Sequence, residues 1–105
     1  MEQRRESRFK SSKAVRLQVV DRMAGPGLGR LIDAQVVDVS GSGLRVRTYV
    51  PIPSGVTVKI LDRTLVLLGE ISRCVLEREV YMVGIRVFET RVADEAQTAS
   101  SLAHP

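Results

Sequence analysis

Apolar and polar residues alternate from Ala14 onward, with Val15, Leu17 and Val19 on one side and Arg16 and Gln18 on the other. A period of two marks a half-buried strand. The same period returns at Ile32, Ala34 and Val36, at Leu44, Val46 and Thr48, at Val56, Val58 and Ile60, and at Tyr81, Val83, Ile85 and Val87. Val37 and Val39 make the end of the second run apolar on both faces. Between the fourth and last of these runs, Leu65 to Leu76 is long for a strand, and Gly69 within it predicts a bulge or bend.

The breaks between runs are turn chemistry: the Gly- and Pro-rich "DRMAGPGLGR", then "DVSGSG", "PIPSG", "DRT" and "EREV". Six strands at hairpin spacing, with no helix long enough to cover a parallel sheet, predict an all-β fold: a small six-stranded antiparallel barrel over residues 14–89. Beyond it, Thr90 is positioned to cap a short C-terminal helix reaching about Ser101. Its apolar stripe of Val92, Ala96 and Ala99 is thin, and residues 90–105 are assigned to this helix and a frayed tail.

At 105 residues the chain has room for one domain, and with 4% aromatics and no Trp its core must come from Val, Leu and Ile. Its formal net charge is +4. Residues 1–16 hold six basic side chains against two acidic ones, and the other 89 residues hold ten of each. The excess therefore lies in a flexible basic arm, residues 1–13, and the start of the first strand, where an anionic partner would meet it. The single cysteine, Cys74, can form no internal disulfide and reads as a small core residue. With no run of apolar residues long enough to span a membrane, a cytoplasmic protein without a membrane span is expected.

Catalytic chemistry lacks candidates. The lone histidine, His104, stands beside the final proline, and one Cys with one terminal His falls short of a zinc set. "GPGLGR" is not a phosphate loop, because strand follows strand where a helix N-terminus is needed. No enzyme, metal or cofactor is expected.

Two stretches remain. "RRESR" supplies guanidinium groups that grip phosphate bidentately and stack on bases. "DVSGSG" offers Asp38, an acceptor suited to the N–H edge of guanine, Ser40, a donor or acceptor, and Gly43, which lacks a Cβ where a ring would approach. A plain hairpin turn, with glycines at positive φ, also accounts for "SGSG".

With both stretches in view, the chain resembles the PilZ domain, a bacterial receptor module for cyclic di-GMP. That family carries an N-terminal R-x-x-x-R arm, matched by Arg4 and Arg8. Its D/N-x-S-x-x-G signature is matched by Asp38, Ser40 and Gly43, and its closing hairpin is similar to "GEISRCVLEREVYMVGIRVFE". The resemblance covers roughly Arg4 to Phe88. It implies a PilZ-like split barrel in which Arg4 and Arg8 fold over cyclic di-GMP. Asp38 and Ser40 would then bond a guanine edge, and Gly43 would leave space. Arg5, Arg45 and Arg73 are possible additional ligand contacts by proximity, although exposed arginines on strands are usually only solvated. An unidentified effector protein would receive the signal. The alternative is an interaction adaptor of the same fold that binds no nucleotide. A single-stranded DNA or RNA binder is disfavoured because the barrel is charge-balanced and nearly lacks aromatic stacking platforms. On the guanine reading, Asp38→Ala should lose ligand and stay folded.

Overall fold

A computed structural model describes residues 9–21, 25 and 28–92 of the chain. Seven strands follow one another: β1 (Phe9–Lys10), β2 (Ala14–Val19), β3 (Leu31–Val39), β4 (Gly43–Thr48), β5 (Thr57–Asp62), β6 (Leu65–Glu77) and β7 (Val80–Val92). Every pairing is antiparallel, and the sheet order β1-β3-β2-β5-β6-β7-β4 closes on itself because β3 also pairs with β4. Strands β2 to β7 therefore form a closed six-stranded barrel, as the alternation predicts. β1 is a short addition, Phe9 opposite Val39 and Lys10 opposite Asp38, so the expected arm ends in a strand on the edge of β3 beside β2.

The predicted inward residues are the core. Leu17, Val46, Val58 and Val83 are completely buried, and Ile60, Ile71 and Ile85 nearly so. Each such side chain contributes roughly 1.5–3 kcal/mol of transfer free energy, and the core is built mainly from Val, Leu and Ile. Ile52, inside the "PIPSG" break, is also buried and packs on this core.

Two expectations change at the ends of elements. Thr90 does not cap a helix: β7 runs on to Val92, because Leu65, Val66 and Leu67 supply ladder partners for Val92, Arg91 and Thr90. Among the described residues there is no α-helix, and residues 93–105 lie outside them. "SGSG" is not a turn made by positive φ. Among the described residues the left-handed glycines are Gly25, Gly29 and Gly55, in the two long connections.

Three irregularities bend the barrel wall. β3 carries an extra residue, Val37, between the pairs Val36–Val46 and Asp38–Arg45. β7 carries Phe88 between its pairings with Gly69 and Leu68, beside the predicted bulge, and β6 carries Ser72 between Ile71 and Arg73. Bulges of this kind raise local twist and re-aim side chains.

Candidate functional site

The Val37 bulge builds the first part of the site. Along β3 the inward phase runs Ile32, Ala34, Val36 and then Asp38, whose exposure is only 1%. Along β4 the inward phase is Leu44, Val46 and Thr48, so Arg45 and Arg47 point outward. Ahead of the bulge, strand phases match: outward Arg47 donates to the Oε1 of outward Gln35 at 2.8 Å. Past it they do not, and the inward carboxylate of Asp38 is brought opposite the outward guanidinium of Arg45. Arg45 Nε donates to Asp38 Oδ2 at 3.0 Å and Oδ1 at 3.3 Å, and Nη2 donates to Oδ2. The pair is charge-assisted and bidentate, the geometry in which such bonds are strongest. Bonding to Asp38 raises the Arg45 pKa above its ordinary value against the opposing effect of burial, with further support from the charges of Asp38 and Glu77.

Asp38 is thus a buried strand residue and not a turn residue. The turn proper begins at Ser40, whose N–H donates to the Gly43 carbonyl at 2.8 Å and whose hydroxyl donates to the same oxygen at 3.3 Å. Gly43 opens β4, and a Cβ there would lie 2.0 Å from the Ile85 carbonyl oxygen. The space freed by this glycine is filled by β7 backbone of the same chain, not held open for a base. Gly69 serves the same crowded point from β6, where a Cβ would lie 2.6 Å from Ile85 Cγ2 and 2.8 Å from the Arg86 carbonyl.

Outside this wall lies a groove of about 490 Å³, within the range of roughly 300–1,000 Å³ common for small-molecule sites. Ser40, Ser42 and Gly43 line one end, Gly84 contributes a stretch without a side chain, and Arg45, Arg73 and Arg86 supply charge against Glu77. Arg86 is held by Glu70 at 2.7 Å and Arg45 by Asp38. Arg73, which follows the β6 bulge, is exposed and makes no ion pair among the described residues. Its charge faces the groove without a carboxylate from these strands to hold it.

The structure therefore brings Ser40, Gly43, Arg45 and Arg73 into the lining of one groove, while Asp38 stays buried in β3 and is joined to that groove only through its bond with Arg45. Arg4, Arg5 and Arg8 lie outside the described residues, but β1 begins at Phe9, opposite Val39 and one position before Ser40. Two basic residues, Lys13 at the end of the arm as read from the sequence and Arg16 in β2, are engaged on the barrel, Lys13 with Asp62 at 2.8 Å and Arg16 with Asp33 at 3.4 Å. Arg86 and Ser42 are not singled out by sequence reasoning. The signal for Arg86 is its outward phase on β7, two residues after Gly84, which clears the surface beside it.

Among the described residues no cluster of His, Cys, Asp or Glu could hold a metal ion, and no helix is long and apolar enough to cross a membrane. No protein-family model matches the chain, and no curated protein sequence matches it.

Proposed function

We propose that the chain is a cyclic di-GMP receptor module of the PilZ type, which binds the nucleotide on the groove beside β4 and relays its presence to another protein rather than catalysing a reaction. The observation that supports this most is the grouping of Ser40, Arg45 and the unengaged Arg73 in one groove. Phe9, one covalent step from Arg8, lies opposite Val39. A ligand with two phosphates and two guanines matches that set. Arg73 and the arm's Arg4 and Arg8 take phosphate and stack on base. Ser40 and the Asp38 carboxylate accept from the guanine edge, and Arg45 yields part of its hold on Asp38 in exchange for ligand phosphate.

The adaptor reading without nucleotide has one specific observation in its favour: each signature residue already has work inside the chain. Asp38 holds Arg45, Ser40 closes the turn and Gly43 admits Ile85.

Titration calorimetry separates the two. Cyclic di-GMP should bind, more weakly as salt rises because exposed guanidinium groups are screened over about 8 Å at physiological ionic strength. Arg73→Ala and Arg8→Ala should each reduce affinity without changing the melting temperature of the free protein. No binding of cyclic di-GMP, or binding indifferent to both substitutions and to salt, would overturn the receptor reading.

A further inference from the structure

The hairpin of β6 and β7 outruns its neighbours. Pairing of β7 with β4 stops at Arg86 opposite Gly43, so past the bulged Phe88 the residues Glu89–Val92 pair with β6 on one side, and Phe88–Val92 meet no strand among the described residues on the other. Such an edge presents N–H and C=O groups to any second strand, and proteins usually guard it with Lys, Pro or short length. This edge reads Phe-Glu-Thr-Arg-Val, without Lys or Pro. Phe88, one of only four aromatic residues in the chain, is 61% exposed, and Val92 is 48% exposed.

We propose that this edge pairs with the same edge of a second copy of the chain, antiparallel about a twofold axis through Thr90. In that register Glu89 lies opposite Arg91 of the second copy, Phe88 lies opposite Val92 of the second copy, and Thr90 meets its own counterpart. Each of the first two pairs occurs twice. Residues directly opposite in an antiparallel pair share a face with Cβ atoms about 4.5–5.5 Å apart, close enough for both the ion pairs and the apolar pairs. The charges also fix the register. A slip of two residues in one direction sets Glu89 against Glu89, and in the other direction Arg91 against Arg91, while a slip of one turns the strand over. Within one chain Arg91 Nε already donates to Glu89 Oε2 at 2.5 Å, so both charges lie on one face, ready to form an alternating four-charge cluster. Five residues per copy fall short of the roughly 1,200–2,000 Å² of a standard stable interface, so the dimer is weak and concentration-dependent. The inference is independent of nucleotide binding.

Sedimentation equilibrium of the full chain, from micromolar to millimolar concentration, tests it. The chain should pass from monomer to dimer. Glu89→Arg alone and Arg91→Glu alone should each weaken self-association at least about tenfold, because each sets like charges opposite one another. An equimolar mixture of the two variants should recover association, since the edge carrying two arginines on one chain then faces the edge carrying two glutamates on the other. Circular dichroism confirms that each variant is folded. A chain that stays monomeric at millimolar concentration overturns the proposal, as does a dimer indifferent to both reversals. Oxidative crosslinking of the dimer through Cys74 would place the contact on the edge of β6 and overturn it equally.

Discussion

Removing Arg45 should destabilise the protein more than neutralising Asp38, although Arg45 is the more exposed of the two. Asp38 has 1% of its surface exposed, while the Arg45 side chain retains 44%. Arg45→Met keeps the aliphatic stem and takes the bidentate donor from a buried carboxylate. Breaking a buried pair costs about 3–5 kcal/mol, and the open side of Arg45 lets water replace part of it, so about 2–3 kcal/mol is expected. Asp38→Asn preserves shape and leaves the guanidinium a neutral acceptor and solvent, so about 1–1.5 kcal/mol is expected. The double variant should cost less than the two together, with a coupling of at least about 1 kcal/mol. Urea unfolding of the four proteins measures it. Because the Arg45 pKa is raised on folding, its contribution is fully present below the unfolded pKa and is lost only as pH climbs through the folded value. The Arg45 part of the coupling should therefore be unchanged between about pH 6 and about pH 10. Additive single effects, or a coupling that fades across that alkaline range, would refute this account of the pair. On the same geometry Asp38→Ala, which also takes the acceptor from Arg45, is expected to lower the urea midpoint as well.

Gly43→Ala should destabilise by about 2–4 kcal/mol, because its Cβ would lie 2.0 Å from backbone that cannot rotate away, so β4 must separate from β7; an unchanged urea midpoint would show that the wall yields. Arg78, at the tip of the β6–β7 hairpin, has φ 63° without being glycine. Arg78→Gly should therefore stabilise by about 0.5–1 kcal/mol, read as a rise in melting temperature, and a fall would mean that the arginine side chain itself supports the turn.

The barrel was legible because its information is local. Each inward residue of β2, β4 and β5 stands two positions from the next, and burial followed that period at Val15, Leu17, Val19, Leu44, Val46, Val58 and Ile60. Three features were not legible, each for a physical reason. β7 extends through Thr90 to Val92 because a partner strand far earlier in sequence continues opposite it, which no window around Thr90 contains. Ile52 is buried although its flanking prolines read as a break, since a connection can fold its one apolar side chain onto a barrel end. Asp38 reads as the first residue of a polar turn, yet the bulge at Val37 keeps it inside β3 and beneath Arg45. Arg45 carried no signal of its own: an outward arginine on a strand reads as solvated until its cross-strand partner is known.

On the receptor reading proposed above, the bulge would let one short stretch serve both the fold and a ligand. Without Val37 as an extra residue, strand phases would stay matched, and an inward acid would face an inward neighbour in the apolar core, at a prohibitive desolvation cost. With it, the acid sits at the barrel wall, buried from the inside and reached from the outside by a side chain lining the groove. A carboxylate already aligned by a guanidinium is preorganised for another planar donor pair, and the N–H edge of guanine is such a pair. The bond with Arg45 must loosen for that exchange. On that receptor reading, affinity for guanine would thereby be reduced, but the freed guanidinium would remain within the same groove as Arg73, where phosphate is the natural acceptor. A ligand carrying guanine alone would meet the loss without the gain. A ligand carrying guanine and phosphate together would offset one with the other, so on that reading the structural role of Asp38 would favour a nucleotide over a free base.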